Sequence, residues 1–316
     1  MQGRVFHVLQ WYGAVQMTGD CRAAKLEDLA VVYIVSCCIR TGRQMIRVSS
    51  FVWCLVVATT LLVWPLAAFA QSKTMSVHLS YKVSLGHVDV ATTSADWVFG
   101  EDTFELSATS RTVGLTDMLR KYRGQIDLSG RIENGLYLPQ NLSIGGVSKR
   151  RTRQALTTWA PDTDSVVTKR DPELDLEKVF PLSDKHIDGA IDPFSAMLNA
   201  LNNVAQDGSC AGSERVYDGL RTSEFELHNL GTQILEKDRP FAFAGKTSVC
   251  GFVSKATGGH QRKSRWRKQQ PAPEDVLIFV AEVRPDLFLP VRMEAKSFIG
   301  TVTVRLVMPT LALEIH

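Results

Sequence analysis

The sequence lacks the short motifs by which many catalytic and metal-binding sites are recognised. It holds seven histidines among 316 residues, but none is spaced as H-x-x-x-H or H-E-x-x-H, which would place two zinc ligands on one helix face. It also has no G-x-S-x-G nucleophile elbow and no phosphate-binding P-loop. We therefore predict a non-enzymatic protein with no catalytic residue, no metal site and no cofactor. Only a catalytic or metal site assembled from distant positions would lack such a motif.

Long apolar runs are also scarce, and the one that is present lies near the N-terminus. Residues 51–70 are apolar, follow several arginines and end in Ala68-Phe69-Ala70. A basic region, an apolar helix and an A-x-A site in this order predict a secretory signal peptide over residues 45–70, cleaved after Ala70. The signal peptide predicts that the mature protein is in the bacterial periplasm. The alternative is an uncleaved anchor in the inner membrane, because twenty apolar residues can just span a bilayer.

The 44 residues before Met45 are unexpected, since a secretory signal normally begins at the start of the chain. We interpret residues 1–44 as a non-native or disordered extension, with translation starting at Met45. A single domain is then expected over residues 71–316.

The mature chain has no excess charge of either sign. Of the 36 Lys and Arg and the 33 Asp and Glu, residues 1–70 hold six and three, so the remainder carries 30 of each. A neutral domain offers no global attraction for the phosphate backbone, and we therefore predict no nucleic-acid partner.

Cysteine is rare as well, since only Cys210 and Cys250 lie beyond the leader. An exported protein folds in an oxidising compartment, which favours a disulfide between them. The bridge would close a loop of 41 residues and stabilise the fold by about 4 kcal/mol. Metal binding is the rival interpretation, but two cysteines without a C-x-x-C pair or nearby histidines make a poor site.

The mature sequence contains mainly strand patterns. Residues 75–85 alternate apolar and polar side chains, and similar alternation recurs to residue 308. About ten such strands predict a mostly β fold, an antiparallel curved sheet forming a sandwich or partial barrel. One main helix is expected near residues 192–204, because Asp192 can act as its N-cap and Pro193 suits its first position.

Two smaller features have a bearing on the structure. Leu115, Met118, Leu119 and Tyr122 have helical spacing and predict a short helical turn that leads into a strand. Asn134-Gly135 predicts a tight turn, because both residues accept positive φ.

Asp218 and Arg221 are the candidate binding residues. Asp218-Gly219 predicts a hairpin turn, and Arg221 can pair with Asp218 or with a ligand carboxylate. An acidic pair formed by Asp192 and Asp218 would instead suggest an enzyme.

A basic loop insertion is predicted over residues 258–275, between two strands. Its residues 260–268 form a candidate peripheral contact with anionic lipid headgroups or polysaccharide, in which Trp266 would be the interfacial anchor. The alternative is a solvated hairpin insertion.

Several of these segments together carry a family resemblance. They are G-L-T-D-M-L-R-K-Y-R-G at 114–124, D-P-F-S-A-M-L at 192–198, Cys210, V-Y-D-G-L-R at 216–221 and P-V-R at 290–292. In this order they resemble the proteobacterial envelope family known as domain of unknown function 3108, over about residues 75 to 310. The resemblance implies an exported, mostly β protein without an established activity, with a sheet similar to the open half-barrels of lipoprotein carriers.

The first hypothesis for function is a non-enzymatic periplasmic protein whose concave sheet binds an apolar or amphipathic envelope component, such as a lipid. An enzyme acting on envelope glycans or lipids, and a scaffold that docks other proteins through the basic loop, are the alternatives. The oligomeric state is not predicted.

Overall fold

The computed structural model describes residues 74–148, 151–160, 165–173, 175–262, 272–297, 300–308 and, for the backbone only, 312–315. These residues fall within one compact unit. The predicted signal peptide with Ala68 and Ala70, the extension before Met45, and Trp266 lie outside the described residues, so those predictions stay predictions.

Strands make up most of the described chain, as expected from the alternating pattern. The fourteen strands are β1 (Met75–Leu85), β2 (Val88–Phe99), β3 (Thr103–Thr112), β4 (Tyr122–Glu133), β5 (Leu136–Ser148), β6 (Arg151–Trp159), β7 (Val166–Asp171), β8 (Gly212–Tyr217), β9 (Thr222–Leu235), β10 (Gly245–Gly258), β11 (Val276–Arg284), β12 (Leu287–Ser297), β13 (Gly300–Leu306) and β14 (Ala312–Ile315). The helices are α1 (Gly114–Leu119), α2 (Asp184–Ile187) and α3 (Pro193–Asp207), with a 3₁₀ turn at Pro273–Asp275.

The strands form one antiparallel sheet in two arms that meet at β1. The order is β7-β6-β5-β4-β3-β2-β1-β13-β12-β11-β10-β9-β8, and β14 adds a second pairing to β1. The first arm runs from β1 to β7 and the second from β8 to β13, and within each arm consecutive strands are neighbours. The connection from β7 to β8 runs through α2 and α3 and joins the two edges of the sheet. The predicted mostly β, antiparallel curved sheet is confirmed.

Strand register places one apolar residue from each strand on the same face of the sheet. Val77 pairs with Trp97, which pairs with Leu106, then Leu128 and then Leu142. All five are buried in the main hydrophobic cluster. Because alternate side chains point to opposite faces, this row gives β1 to β5 an inner face that holds the core and an outer face of mainly polar residues.

Helix α3 packs on the inner face and begins as the sequence predicts. The Asp192 carboxylate accepts the N–H of Phe194 at 2.7 Å, and Pro193 occupies the first helical position. Phe194 and Leu198 join the main core cluster. The helix runs three residues beyond the expected end and stops at Gly208, which adopts the left-handed φ of 67° that suits a C-cap glycine.

The edges of the sheet meet through side chains rather than through strand pairing. The Tyr217 hydroxyl of β8 lies 3.0 Å from Thr168 Oγ1 of β7. Arg170 of β7 donates to that hydroxyl and, at 2.6 Å, to the carbonyl of Gly219. This seam gives a partial barrel that the backbone itself leaves open.

The predicted disulfide is present between Cys210 and Cys250, whose Cα atoms are 5.8 Å apart. It ties the segment after α3 to β10, and both residues are buried beside Leu201 and Val204 of α3. The tight turn at Asn134-Gly135 is also confirmed, with φ of 52° and 77°.

Candidate functional site

The two predicted binding residues, Asp218 and Arg221, are held by each other in the β8–β9 turn. Asp218 Oδ1 accepts the N–H groups of Leu220 at 2.9 Å and Arg221 at 2.7 Å. Asp218 Oδ2 accepts from Arg221 Nε at 3.1 Å. The predicted turn is thus observed, and these contacts account for both side chains structurally.

The Asp192 carboxylate also has a structural role, since it caps α3. It is fully buried, and burial raises its pKa to about 6, against the opposing effect of the N–H groups of Phe194 and Ser195. A raised pKa in a buried acid can indicate catalysis, but an N-cap explains this carboxylate without it.

A groove of about 710 Å³ crosses the outer face of the first arm. Gly124, Gly145 and Gly146 are among its lining residues. Two cross-strand rows of polar side chains on the outer face form its walls. One row is Ser80, Ser94, Thr109 and Gln125, and the other is Lys82, Thr92, Arg111 and Arg123.

The groove is cationic, because its lining contains three basic side chains and no Asp or Glu. Lys82 Nζ lies 4.3 Å from the ring centre of Phe241, a cation–π distance. Arg111 Nε makes one long contact, 3.4 Å, with Thr92 Oγ1. Hydroxyl, amide and cationic donors arranged in this way suit a phosphate, a carboxylate or a sugar.

Helix α1 stands at one end of this groove with its apolar side chains in solvent. Leu115, Met118 and Leu119 are 70%, 84% and 79% exposed. We call these three side chains the apolar knob. The short helix predicted from their spacing is confirmed, but of the four residues that share that spacing only Tyr122 is buried, in the following strand.

Polar contacts fix α1 to the sheet. Asp117 Oδ1 accepts from Arg123 Nη1 at 2.6 Å and from Thr112 Oγ1 at 2.8 Å. These hydrogen bonds hold the pKa of Asp117 below its ordinary value. The Thr112 hydroxyl in turn accepts the N–H of Tyr122 at 3.0 Å. Since Arg123 also lines the groove, the same salt bridge joins the groove wall to the knob.

The sequence comparison decides the family. The sequence profile of a family described as Protein of unknown function (DUF3108) matches residues 75–307, most of the chain. The chain belongs to the DUF3108 family. No functionally curated protein matches it significantly. It is similar to the crystal structure of a β-barrel-like protein of domain of unknown function DUF1849 from Brucella abortus, at 10% identity and a TM-score of 0.43, over 78% of this chain and 98% of that chain.

In this DUF3108 protein, the start of the predicted basic loop is bound to the domain. His260 Nε2 lies 2.9 Å from the carbonyl of Thr222 and 3.1 Å from Ser223 Oγ. Arg262 Nε donates to the carbonyl of Val179 at 2.7 Å. Most of residues 260–268, Trp266 included, lies outside the described residues, so the predicted membrane contact there stays a prediction.

Two features are absent from the described residues of this DUF3108 chain. In that part of the chain, no group of three or more His, Cys, Asp or Glu side chains is arranged as metal ligands would be. None of the described helices is long and apolar enough to cross a membrane.

Proposed function

We propose that this DUF3108 protein is an exported, non-enzymatic periplasmic protein that binds an amphipathic, anionic envelope component. The observation that supports this proposal is the groove of about 710 Å³ on the outer face, with cationic and hydroxyl walls and the apolar knob at its end. A volume of this size suits a small ligand or a lipid headgroup.

We place the ligand in the outer groove, whereas the first hypothesis placed it on the concave face of the sheet. The inner face is occupied by the hydrophobic core, in which Phe104, Leu142 and Leu306 are almost completely buried. A ligand on the inner face would have to displace this core, whereas the groove is open to solvent and lined by polar groups.

The anionic part of the ligand would lie among Lys82, Arg111 and Arg123. Arg123 already pairs with Asp117, so Lys82 and Arg111 supply the two charges that no described carboxylate neutralises. Hydrogen bonds between charged groups contribute about 1.5–3 kcal/mol each. Loss of either side chain should therefore weaken binding about tenfold or more.

The experiment begins with export of the whole chain in a bacterial host. Mass spectrometry of the periplasmic protein should show an N-terminus at Gln71 and a co-purifying lipid. Calorimetry then compares soluble dihexanoylphosphatidylglycerol with dihexanoylphosphatidylcholine. We expect tighter binding of the anionic lipid, and about tenfold weaker binding by Lys82→Gln and Arg111→Gln.

Arg284→Gln is the matched control, because Arg284 is an exposed cation at the end of β11, outside the groove lining. It should leave affinity unchanged. Protein that carries no lipid and binds neither probe would refute the proposal. Equal losses in all three variants would show that net charge, and not the groove, determines binding.

A further inference from the structure

The apolar knob is not explained by the folding of this domain. Leu115, Met118 and Leu119 are mostly exposed, although the same chain buries many leucines elsewhere. Their helix is anchored by Asp117 and Thr112 instead. An anchored helix that points its three largest apolar side chains into water presents a surface for a partner.

Neighbouring segments enlarge this surface at the same end of the sheet. Val113 N donates to the carbonyl of Val90 at 3.0 Å, which places the start of β2 against α1. Val88, two residues earlier, is 57% exposed. Val147 pairs with Arg123 across β4 and β5 and is also exposed. The apolar surface therefore includes α1 and one residue each from β2 and β5.

Basic side chains flank the apolar surface. Arg120 and Lys121 directly follow α1, and Arg111 and Arg123 lie on the adjacent strands. The acidic residues at this end are engaged: Asp117 pairs with Arg123, and Asp89 accepts from Ser84 Oγ at 2.9 Å. This end of the sheet is consequently positive around an apolar centre.

We propose that the apolar knob docks on a bilayer that contains anionic lipid. Leu115, Met118 and Leu119 enter the headgroup and upper acyl region, and the surrounding Arg and Lys side chains bind the lipid phosphates. Apolar insertion and electrostatic attraction are each weak alone and together give stable peripheral binding. Complementarity of charge favours this partner, because an apolar centre ringed by cations matches an anionic interface. The docking does not require a ligand in the groove.

The test is co-sedimentation of residues 71–316, which contain all of the described core, with vesicles of phosphatidylcholine with or without phosphatidylglycerol. The wild-type domain should bind the anionic vesicles and release from them as salt rises. Met118→Ser combined with Leu119→Ser should lower the partition coefficient at least tenfold. Both side chains are exposed, so the circular dichroism spectrum and thermal midpoint should not change.

Leu176→Ser combined with Ile234→Ser is the matched control, because these side chains are 70% and 74% exposed outside α1 and its neighbouring strands. This pair should leave vesicle binding unchanged. Unaltered binding by the knob variant, or equal binding to neutral vesicles, would overturn the proposal. Wild-type protein that ignores every vesicle would also overturn it and would leave a protein as the partner of the knob.

The two proposals can fail separately. Lys82→Gln should weaken binding of dihexanoylphosphatidylglycerol in the groove while it retains most vesicle binding, since Lys82 lies on β1 and not next to α1.

Discussion

Reduction of the Cys210–Cys250 bridge should remove a large part of the stability of the domain. The bridge connects residues 40 apart in sequence and links the end of α3 to a strand in the second arm. Both cysteines are almost completely buried, so native protein should resist mild reductant and lose the bridge only when it unfolds. Residues 71–316 contain no other cysteine, which excludes rearranged pairings.

The magnitude follows from the length of the closed loop. For 41 residues the chain-entropy relation gives a loss of about 13 cal/mol/K in the unfolded state, or about 4 kcal/mol at 25 °C. Typical domains are stable by only about 5–15 kcal/mol. The reduced domain should therefore be folded but marginal, with a clearly lower urea midpoint.

The assay is urea unfolding of residues 71–316, monitored by tryptophan fluorescence with and without dithiothreitol. We expect reduction to lower the free energy of unfolding by about 4 kcal/mol. Cys210→Ala combined with Cys250→Ala should show a similar loss without reductant and no further loss with it. A loss below about 1 kcal/mol on reduction would refute the loop-entropy reasoning for this bridge.

Three other substitutions test the packing, the seam and the helix cap. Gly130→Ala would place a Cβ 2.4 Å from ring carbons of Phe104, so we expect a loss of about 1–3 kcal/mol in urea unfolding. Tyr217→Phe removes the hydroxyl to which Arg170 donates and should cost about 1–2 kcal/mol, with faster proteolysis at the seam. Asp192→Asn keeps the cap, and because the folded pKa of Asp192 is raised from 3.8 to about 6, wild type should lose about 2 kcal/mol relative to this variant between pH 4 and pH 7.

The sign of the last effect follows from proton linkage. The unfolded carboxyl ionises near pH 4 and the buried one only near pH 6, so rising pH favours the unfolded state across that interval. A constant stability difference from pH 4 to pH 7 would contradict the raised pKa.

Gly212→Ala is the control for Gly130→Ala, because no other atom lies within 4 Å of its added Cβ. This control should leave the free energy of unfolding nearly unchanged.

The strands that could be predicted are those with clean alternation, and the ones missed have identifiable reasons. β5 contains Pro139 and the pair Gly145-Gly146, which normally argue against a strand. Pro139 is tolerated because β4 and β5 change register beside it, between Ser129 and Gly130. Both glycines line the outer groove. β6 and β7 are harder to predict because most of their side chains are polar, and β7 is also an edge strand.

The site was predictable only in part. Helical spacing at Leu115, Met118 and Leu119 correctly indicates a helix, but the same spacing cannot say whether that face meets the core or the solvent. What decides it is Asp117, whose contacts with Thr112 and Arg123 hold the opposite side of α1 on the sheet. The groove has no linear motif, because its walls come from neighbouring strands that only register brings together.

The segments that carry the family resemblance divide by what they do in the structure. Asp192 and Pro193 start α3, Tyr217 and its turn close the seam, and Cys210 forms the bridge, so these segments serve the fold. The segment that contains α1 is different, since its polar residues serve the fold but its apolar residues make the protein less soluble without filling a core. Exposed apolar groups of this kind add no folding stability, because burial is what makes them stabilising. We therefore expect their role to lie in contacts made outside the domain, and mutations there should alter binding before they alter stability.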